Sequence, residues 1–486
     1  MKKIILLLVY CYLWSAGVFA QYGFKSFVPL APVALSESTK DKPQSKIWKY
    51  AGKWWCVLSG SNGTSIFRLD ENTWVEKLKL NPKNSKPDCR VDGDLVHILF
   101  FKGEGNNSFL YTVKYDNANG TYMLWPGRTS ASAIRFPAGA NTATLAIDNT
   151  HRIWAASNQN TKMLAWYSDA PYTSWTGPIV IATGTGETDI CAITCMAPQN
   201  KIGIIWSNQI KKRFGFKTHS DGADPNTWSD DEVPASQSAI PGAGGGMADD
   251  HLNIKVASDG TIYCATKTDY NIAGMPKIIL LVRRPSGSWE NVYAVTNDFE
   301  GTQPIVLLNE EKGRLKVVYT TSENGGDIVY RESSLSSISF GPALTLIKHQ
   351  GVKYDFVSSA CQNYTSDIVL LATNTSANPL QAVGVRASDD EMLSAPNPIV
   401  DGGITSSPNP FGSTTNISFI VKEGGGYYLE LYDLKGINRG IILKGLAQPG
   451  VINNVTFNGS ALANGMYFIL LQSKESRQTI RLVKNN

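Results

Sequence analysis

From residue 47 onward, short apolar runs alternate with polar turns. Around residue 250 the runs are 251–257, 261–266, 278–283 and 289–295, separated by Asp259-Gly260 and by Pro285-Ser286-Gly287. Asp-Gly between two such runs signals a hairpin, and the run lengths are those of strands. The preceding stretch repeats the scheme with runs at 191–197, 202–207, 214–219 and 228–233. No window sustains a helical period, so helical solenoids are excluded.

The scheme recurs along the chain. Aromatic residues close a polar turn at Trp74, Trp125, Trp175, Trp228, Trp289 and Phe340, at intervals of 51, 50, 53, 61 and 51 residues. A second series lies inside apolar runs at Trp154, Trp206, Tyr263, Tyr319 and Leu371. Units of about four antiparallel strands, repeated in this way, predict an all-β, seven-bladed β-propeller. The units begin near residues 47, 88, 142, 190, 250, 302 and 356. The last has strands at 356–361, 367–373 and 382–386 but no fourth, and the apolar segment 24–33 is expected to supply it. That closure removes an exposed sheet edge.

Both ends of the chain differ from the middle. Lys2-Lys3, the apolar run 4–14 and the small residues Val18 and Ala20 predict a signal peptide over 1–20, cleaved before Gln21. The propeller is then expected over 21–395. Residues 396–408 are rich in Pro, Gly and Ser and read as a linker. Period-2 alternation in Tyr428-Leu429-Glu430-Leu431-Tyr432 predicts a small Ig-like β-sandwich over 409–486.

That last segment resembles the C-terminal sorting domain of the type IX (Por) secretion system of Bacteroidetes. The matching residues are Pro408-Asn409-Pro410-Phe411, Thr415-Asn416-Ile417-Ser418-Phe419, Tyr432-Asp433-Leu434-Lys435-Gly436, Leu462-Ala463-Asn464-Gly465-Met466-Tyr467-Phe468 and Arg481-Leu482-Val483-Lys484. The resemblance implies export through periplasm and outer membrane, handling by the secretion machinery through 409–486, and surface attachment or release. The repeats are similar to sialidase-type, or BNR, propellers of carbohydrate-active proteins. Ser168 to Trp175 and Ser220 to Trp228 carry that similarity, although they depart from the SxDxGxxW pattern.

Composition narrows the partners. Charged residues are only 18%, hydrophobic residues 42%, and the net charge is +4 without any Lys/Arg cluster. Nucleic acid is therefore not an expected partner, no transmembrane segment is predicted in the mature chain, and a monomer is expected. No nucleotide or Ca²⁺-loop motif is present, so no cofactor and no metal are predicted. Cys56, Cys89, Cys191, Cys195, Cys264 and Cys361 lie in strand-like runs, as buried free thiols or as disulfides.

Candidate chemistry gathers where first strands of a propeller begin. Those entries contribute Asp88, Arg90, Asp189, Asp250, His251, Gln303 and Asp355, and loops between second and third strands add Asn158, Asn208 and Tyr270. His251, Asn253 and Lys255 alternate on one strand after a glycine-rich approach, so they share a face. His251, Asp250 and Tyr270 are the candidate catalytic groups. Arg90, Asp88, Asp189, Asn253, Lys255, Gln303, Asn158 and Asn208 are the candidate substrate contacts. A polysaccharide lyase needs a base and a cation, and a glycosidase needs paired carboxylates. The alternative is a lectin or adhesin that binds an oligo- or polysaccharide without chemistry.

The secreted form is expected to begin at Gln21 and to lack residues 409–486. Mass spectrometry of the extracellular protein checks both ends, and a periplasmic species retaining its C-terminus would contradict the reading.

Overall fold

In a computed structural model, residues 23–390 are described apart from 41, 104, 106 and 298–300. Residues 404–485 are described apart from 422–423, 449–450 and 475. The signal peptide and most of the linker lie outside the described residues. Among the described residues the protein is all-β, with one 3-10 turn, Ala197–Gln199, and no helix long and apolar enough to cross a membrane.

Seven antiparallel sheets follow one another between Ser26 and Ser388. Their innermost strands are Ile47–Tyr50, Lys86–Asp92, Ala143–Ile147, Cys191–Met196, Leu252–Val256, Thr302–Asn309 and Tyr354–Ser359. Each packs against the innermost strand of the next sheet, and the seventh packs against the first. Side chains between neighbouring sheets are fully buried; Trp55, Ile66, Ile98 and Val113 fill the gap between the first two.

The ring closes as the strand count requires. Ser26–Ala34 pairs antiparallel with Gln381–Ser388 and completes the seventh sheet from the other end of the chain. A buried charge fixes its start. Lys316, with no exposure, donates to Asp389 Oδ1 at 2.6 Å and Tyr364 Oη at 3.1 Å, and pairs with Glu332 Oε2 at 3.3 Å. Glu332 Oε2 accepts the Gly23 amide at 2.9 Å, and the Phe24 ring lies 4.5 Å from the ammonium.

The fourth sheet departs from the sequence reading. It has three strands, and 228–233 makes only a bridge between Glu232 and Phe216. Glu232 is drawn to the next sheet instead, where it accepts from Arg283 Nε at 2.7 Å and Trp289 Nε1 at 2.8 Å. Pro234 then removes the donor that would continue the ladder. In the fifth sheet the expected strand 289–295 shortens to Tyr293–Ala294.

At the C-terminus, Ile404–Ser407, Thr414–Ile420 and Ile452–Asn458 form one sheet. Gly425–Asp433, Asn438–Ala447, Gly465–Ser473 and Arg477–Lys484 form a second. Ile417, Phe419, Leu429 and Ile469 share a core between them. Residues 404–407, read as linker, are thus part of this unit, because Ile404 is buried and pairs with Phe419.

Replacing Lys316 with Ala leaves Glu332 and Asp389 buried without their cation. A loss of about 3–5 kcal/mol is expected, measured as a lower denaturation midpoint of the full chain.

Candidate functional site

The mouth at which the innermost strands begin is filled by the chain itself. The segment between Ala34 and Ile47 runs across it and bonds to one sheet after another. Thr39 Oγ1 donates to the Phe356 carbonyl at 2.6 Å, and Lys40 Nζ to the carbonyls of Gln303 and Pro304 at 3.3 Å. Lys42 pairs with Asp250. Gln44 Nε2 reaches the carbonyls of Lys86 and Ala143 at 2.9 and 3.0 Å, and Lys46 Nζ reaches Pro87 O at 2.7 Å. Thr39, Lys40, Gln44 and Lys46 are all buried.

His251 sits beneath this strap. Its Nδ1–H is shared between Asp249 Oδ1 and Asp250 Oδ1, both at 2.7 Å. Burial alone lowers the imidazole pKa, but the two carboxylates reverse this and hold it above the ordinary 6.5. Burial likewise raises Asp250, and His251 and Lys42 overcome it and keep the carboxyl well below the usual range. Lys267 Nζ, 3.1 Å from Asp249 and 2.7 Å from Glu323, completes the network. Asp249, Asp250 and His251 each offer a ligand atom within 4.8 Å of one another. Two ammonium groups already hold those carboxylates, so the cluster neutralises itself rather than presenting a cation site.

The other entry residues are occupied by backbone. Asp88, fully buried, accepts from the amides of Ser45 and Leu145, both at 2.8 Å. Asp189 accepts from the amides of Gly186 at 2.6 Å and Gln209 at 3.1 Å. Asn158 takes the Asn141 amide at 2.9 Å, and Asn208 takes the Lys211 amide at 2.8 Å. Tyr270 is buried and its hydroxyl accepts the Ile240 amide at 3.1 Å. Gln303 lies in a bulge at φ 55°, its side chain buried. Asp355 accepts from Thr320 Oγ1 at 3.0 Å, and burial raises its pKa. Most of these side chains sit beside backbone donors and bond to them, whereas Gln303 Oε1 is buried without a hydrogen-bond partner among the described residues. They do not converge on one site.

Three candidates do converge, deeper in the ring. Arg90, Asn253 and Lys255 line a cavity of about 300 Å³ in the channel, with Pro43 and Ser45 at its capped end. Pro43 and Ser45 are buried, whereas Val91, Ile147, Thr194 and Val256 at the far end are partly exposed. The channel therefore opens where the innermost strands finish. Asn253 Oδ1 is committed to the Val306 amide at 3.1 Å. Lys255 Nζ donates to Ala360 O at 2.5 Å and Gln362 O at 3.1 Å. Burial brings its pKa down to about 8, and the Arg90 guanidinium adds to the fall.

Gln362 and Asn363 lie at that open end and also line a second cavity, of about 370 Å³, with Lys49, Tyr50, Trp54 and Asp367. Asn363 Nδ2 donates to Val256 O at 2.8 Å, and Gln362 Oε1 accepts the Lys49 amide at 2.9 Å. The two cavities adjoin at Gln362 and Asn363 and are together called the groove, with Tyr50 and the largely buried Trp54 on its far side. The sequence reading looked at strand entries and missed this loop, 360–366. Its signal was a Gln-Asn-Tyr-Thr run between two apolar strands, which a turn explains equally well.

Residues 407–485 match the family of the secretion system C-terminal sorting domain. A comparison with curated proteins finds none that matches the chain. Among solved structures, an ulvan lyase of a new polysaccharide lyase family is similar at 10% identity and TM-score 0.48, covering 76% of this chain and 96% of that one. The polysaccharide lyase Uly1 is similar at 10% identity and TM-score 0.46, covering 72% and 90%. An α-L-arabinanase of Penicillium chrysogenum is similar at 11% identity and TM-score 0.40, covering 64% and 99%.

The strap latch has a definite pH window. With His251 raised above 6.5, its contribution is complete below that value and is lost as pH rises through the folded pKa. With Asp250 lowered below 3.8, its contribution is present above that value and is lost as pH falls through the folded pKa. Amide exchange at Thr39 and Ser45, corrected for intrinsic rates, should be slowest between the two, and Lys42→Ala should speed it about tenfold there.

Proposed function

We propose that the chain is a seven-bladed β-propeller over 21–395, carried outward by an Ig-like sorting sandwich at 409–486, that processes an acidic polysaccharide as a monomer. Export is the firmer part: the sorting domain marks the protein for type IX secretion to the cell surface or beyond. The observation that carries the rest is the groove at the open end of the channel. It brings a guanidinium, a buried lysine and two side-chain amides together beside Tyr50 and Trp54. Amides and aromatic faces suit hydroxyl-rich rings, and the cations suit a uronate carboxylate. The reading rests on this groove and not on the structural likenesses.

The lining favours elimination over hydrolysis. A glycosidase needs two carboxylates flanking one bond. Among the described residues lining the groove the one carboxylate is Asp367, which Lys49 Nζ at 2.5 Å, Trp54 Nε1 at 2.9 Å and Arg386 Nε at 2.5 Å already hold. Burial raises that carboxyl, and these partners overcome it and bring it to about 2. It therefore stays ionised and cannot act as the acid. β-Elimination needs one base and one cation. Lys255, brought to about 8, is the base that takes the proton beside the uronate carboxyl, and Arg90 neutralises the charge that develops there. As the C5 proton passes to Lys255, the C4=C5 double bond forms and the C4–O4 bond breaks; the departing O4 then takes the proton back from the Lys255 ammonium, leaving an unsaturated uronate and an amine held by Ala360 O and Gln362 O.

A lectin is the second reading, favoured by the same two carbonyls, which grip Lys255 as they would a purely structural lysine. Turnover should rise with pH through about 8, because the base must be neutral. Lys255→Arg keeps the charge and removes the base, so it should cut turnover at least about 100-fold while glycan binding persists. A panel of uronate and neutral polysaccharides, read by ultraviolet absorbance of unsaturated uronate and by calorimetry, checks both. Binding without turnover in the unaltered protein identifies a lectin.

A further inference from the structure

Two cysteines meet at the seam of the ring. Cys89 belongs to the innermost strand of the second sheet, Lys86–Asp92, and Cys361 to the loop after the innermost strand of the seventh, Tyr354–Ser359. Ile47, on the first sheet, lies between them. Its carbonyl accepts the Cys361 amide at 3.0 Å, and Cys89 Sγ is 3.9 Å from the same oxygen. Cys361 packs against the buried cluster that contains Cys89. It also lines the channel cavity together with Arg90 and Lys255. Lys255 Nζ grips the carbonyls on either side of Cys361, those of Ala360 and Gln362, and so fixes the loop that carries the thiol.

We propose that Cys89 and Cys361 are a dithiol that closes to a disulfide after export, bolting the loop at the open end of the channel to the second sheet. This inference rests on export and is independent of the glycan reading. Exported proteins meet disulfide-bearing oxidants, which the cytosol keeps reduced. Such an oxidant enters by the channel and reaches Cys361 first. The Cys361 thiolate attacks one sulfur of the oxidant's disulfide; that bond breaks and the second sulfur leaves as a thiolate. Cys89 gives up its proton to the leaving thiolate and attacks Cys361 Sγ. The Cys89–Cys361 bond forms as the bond to the oxidant breaks. The protein loses two electrons and two protons, and the oxidant gains them as two thiols.

The two thiols are suited to these unequal parts. The hydrogen bond from Cys89 and the nearby Arg90 and Lys255 cations bring Cys361 down to about 7 against the effect of burial. Burial holds Cys89 well above the ordinary range, as a resolving thiol that reacts only when a sulfur is placed next to it. Cys195 is the internal control. It lines the same cavity, yet burial pushes it up to about 12, and so it should stay reduced.

The test uses the full chain purified under reductant, then exposed to oxidised glutathione, denatured and alkylated. A peptide joining Cys89 to Cys361, lighter by two hydrogens, is expected, with Cys56, Cys191, Cys195 and Cys264 alkylated. Before oxidation, Cys361 should alkylate fastest in the native protein. Cys89→Ser should stall at glutathione on Cys361, and Cys361→Ser should take up none at Cys89. The oxidised chain should melt several degrees above the reduced one. Full alkylation of Cys89 and Cys361 after oxidation of a natively folded chain overturns the proposal. A cross-link between other cysteines, or Cys89→Ser that takes up no glutathione, does the same.

Discussion

The innermost strand of every sheet has one edge without a partner strand in its own sheet, and all seven edges face the channel. Their amides and carbonyls must still be bonded. Much of the polar chemistry in the ring answers that demand. Asp88 accepts the Leu145 amide, Thr144 Oγ1 the Ile193 amide, and Asn253 the Val306 amide, each from the following sheet. The carbonyls are met by buried amines: Lys40 at Gln303 and Pro304, Lys46 at Pro87, Lys255 at Ala360 and Gln362. The converging polar residues that resemble a binding site are, for the most part, the edge capping of the sheets.

The same demand explains the strap. An open mouth would leave these edge groups to water, and Thr39, Lys40, Gln44 and Lys46 replace that water with fixed donors. The latch of Lys42, Asp250 and His251 then holds the segment down at the fifth sheet. Because the strap is continuous with the closing strand Ser26–Ala34, closing the ring and capping its mouth are one event. The Lys316 network gives that event a fixed starting point at Gly23 and Phe24. Residues near both ends of the ring are therefore needed before any cavity exists.

With one end capped, the channel cavity opens at the other. There the loop 360–366 narrows the channel and joins it to the groove beside Trp54. Arg90, Lys255 and Cys361 share that space, so the proposed glycan site and the proposed dithiol lie on neighbouring walls. Burial brings Lys255 to about 8, while the hydrogen bond from Cys89 and the nearby Arg90 and Lys255 cations bring Cys361 to about 7 against the effect of burial.

The sequence by itself determined the architecture and the address. Strand periodicity, the recurring turn aromatics and the absent last strand are local properties, written in residues close together in the chain. The sorting domain is likewise a run of short motifs in order. Which polar side chains line the channel cavity follows from the folded ring. The alternation of His251, Asn253 and Lys255 was legible, but not that a strap more than 200 residues before His251 would cover the first and leave the last lining the channel. Nor could spacing tell that Asp88 and Asp189 face orphan amides while Gln362 and Asn363 reach the groove. A side chain's chemistry depends on which backbone groups it meets, and in a closed ring those come from other sheets.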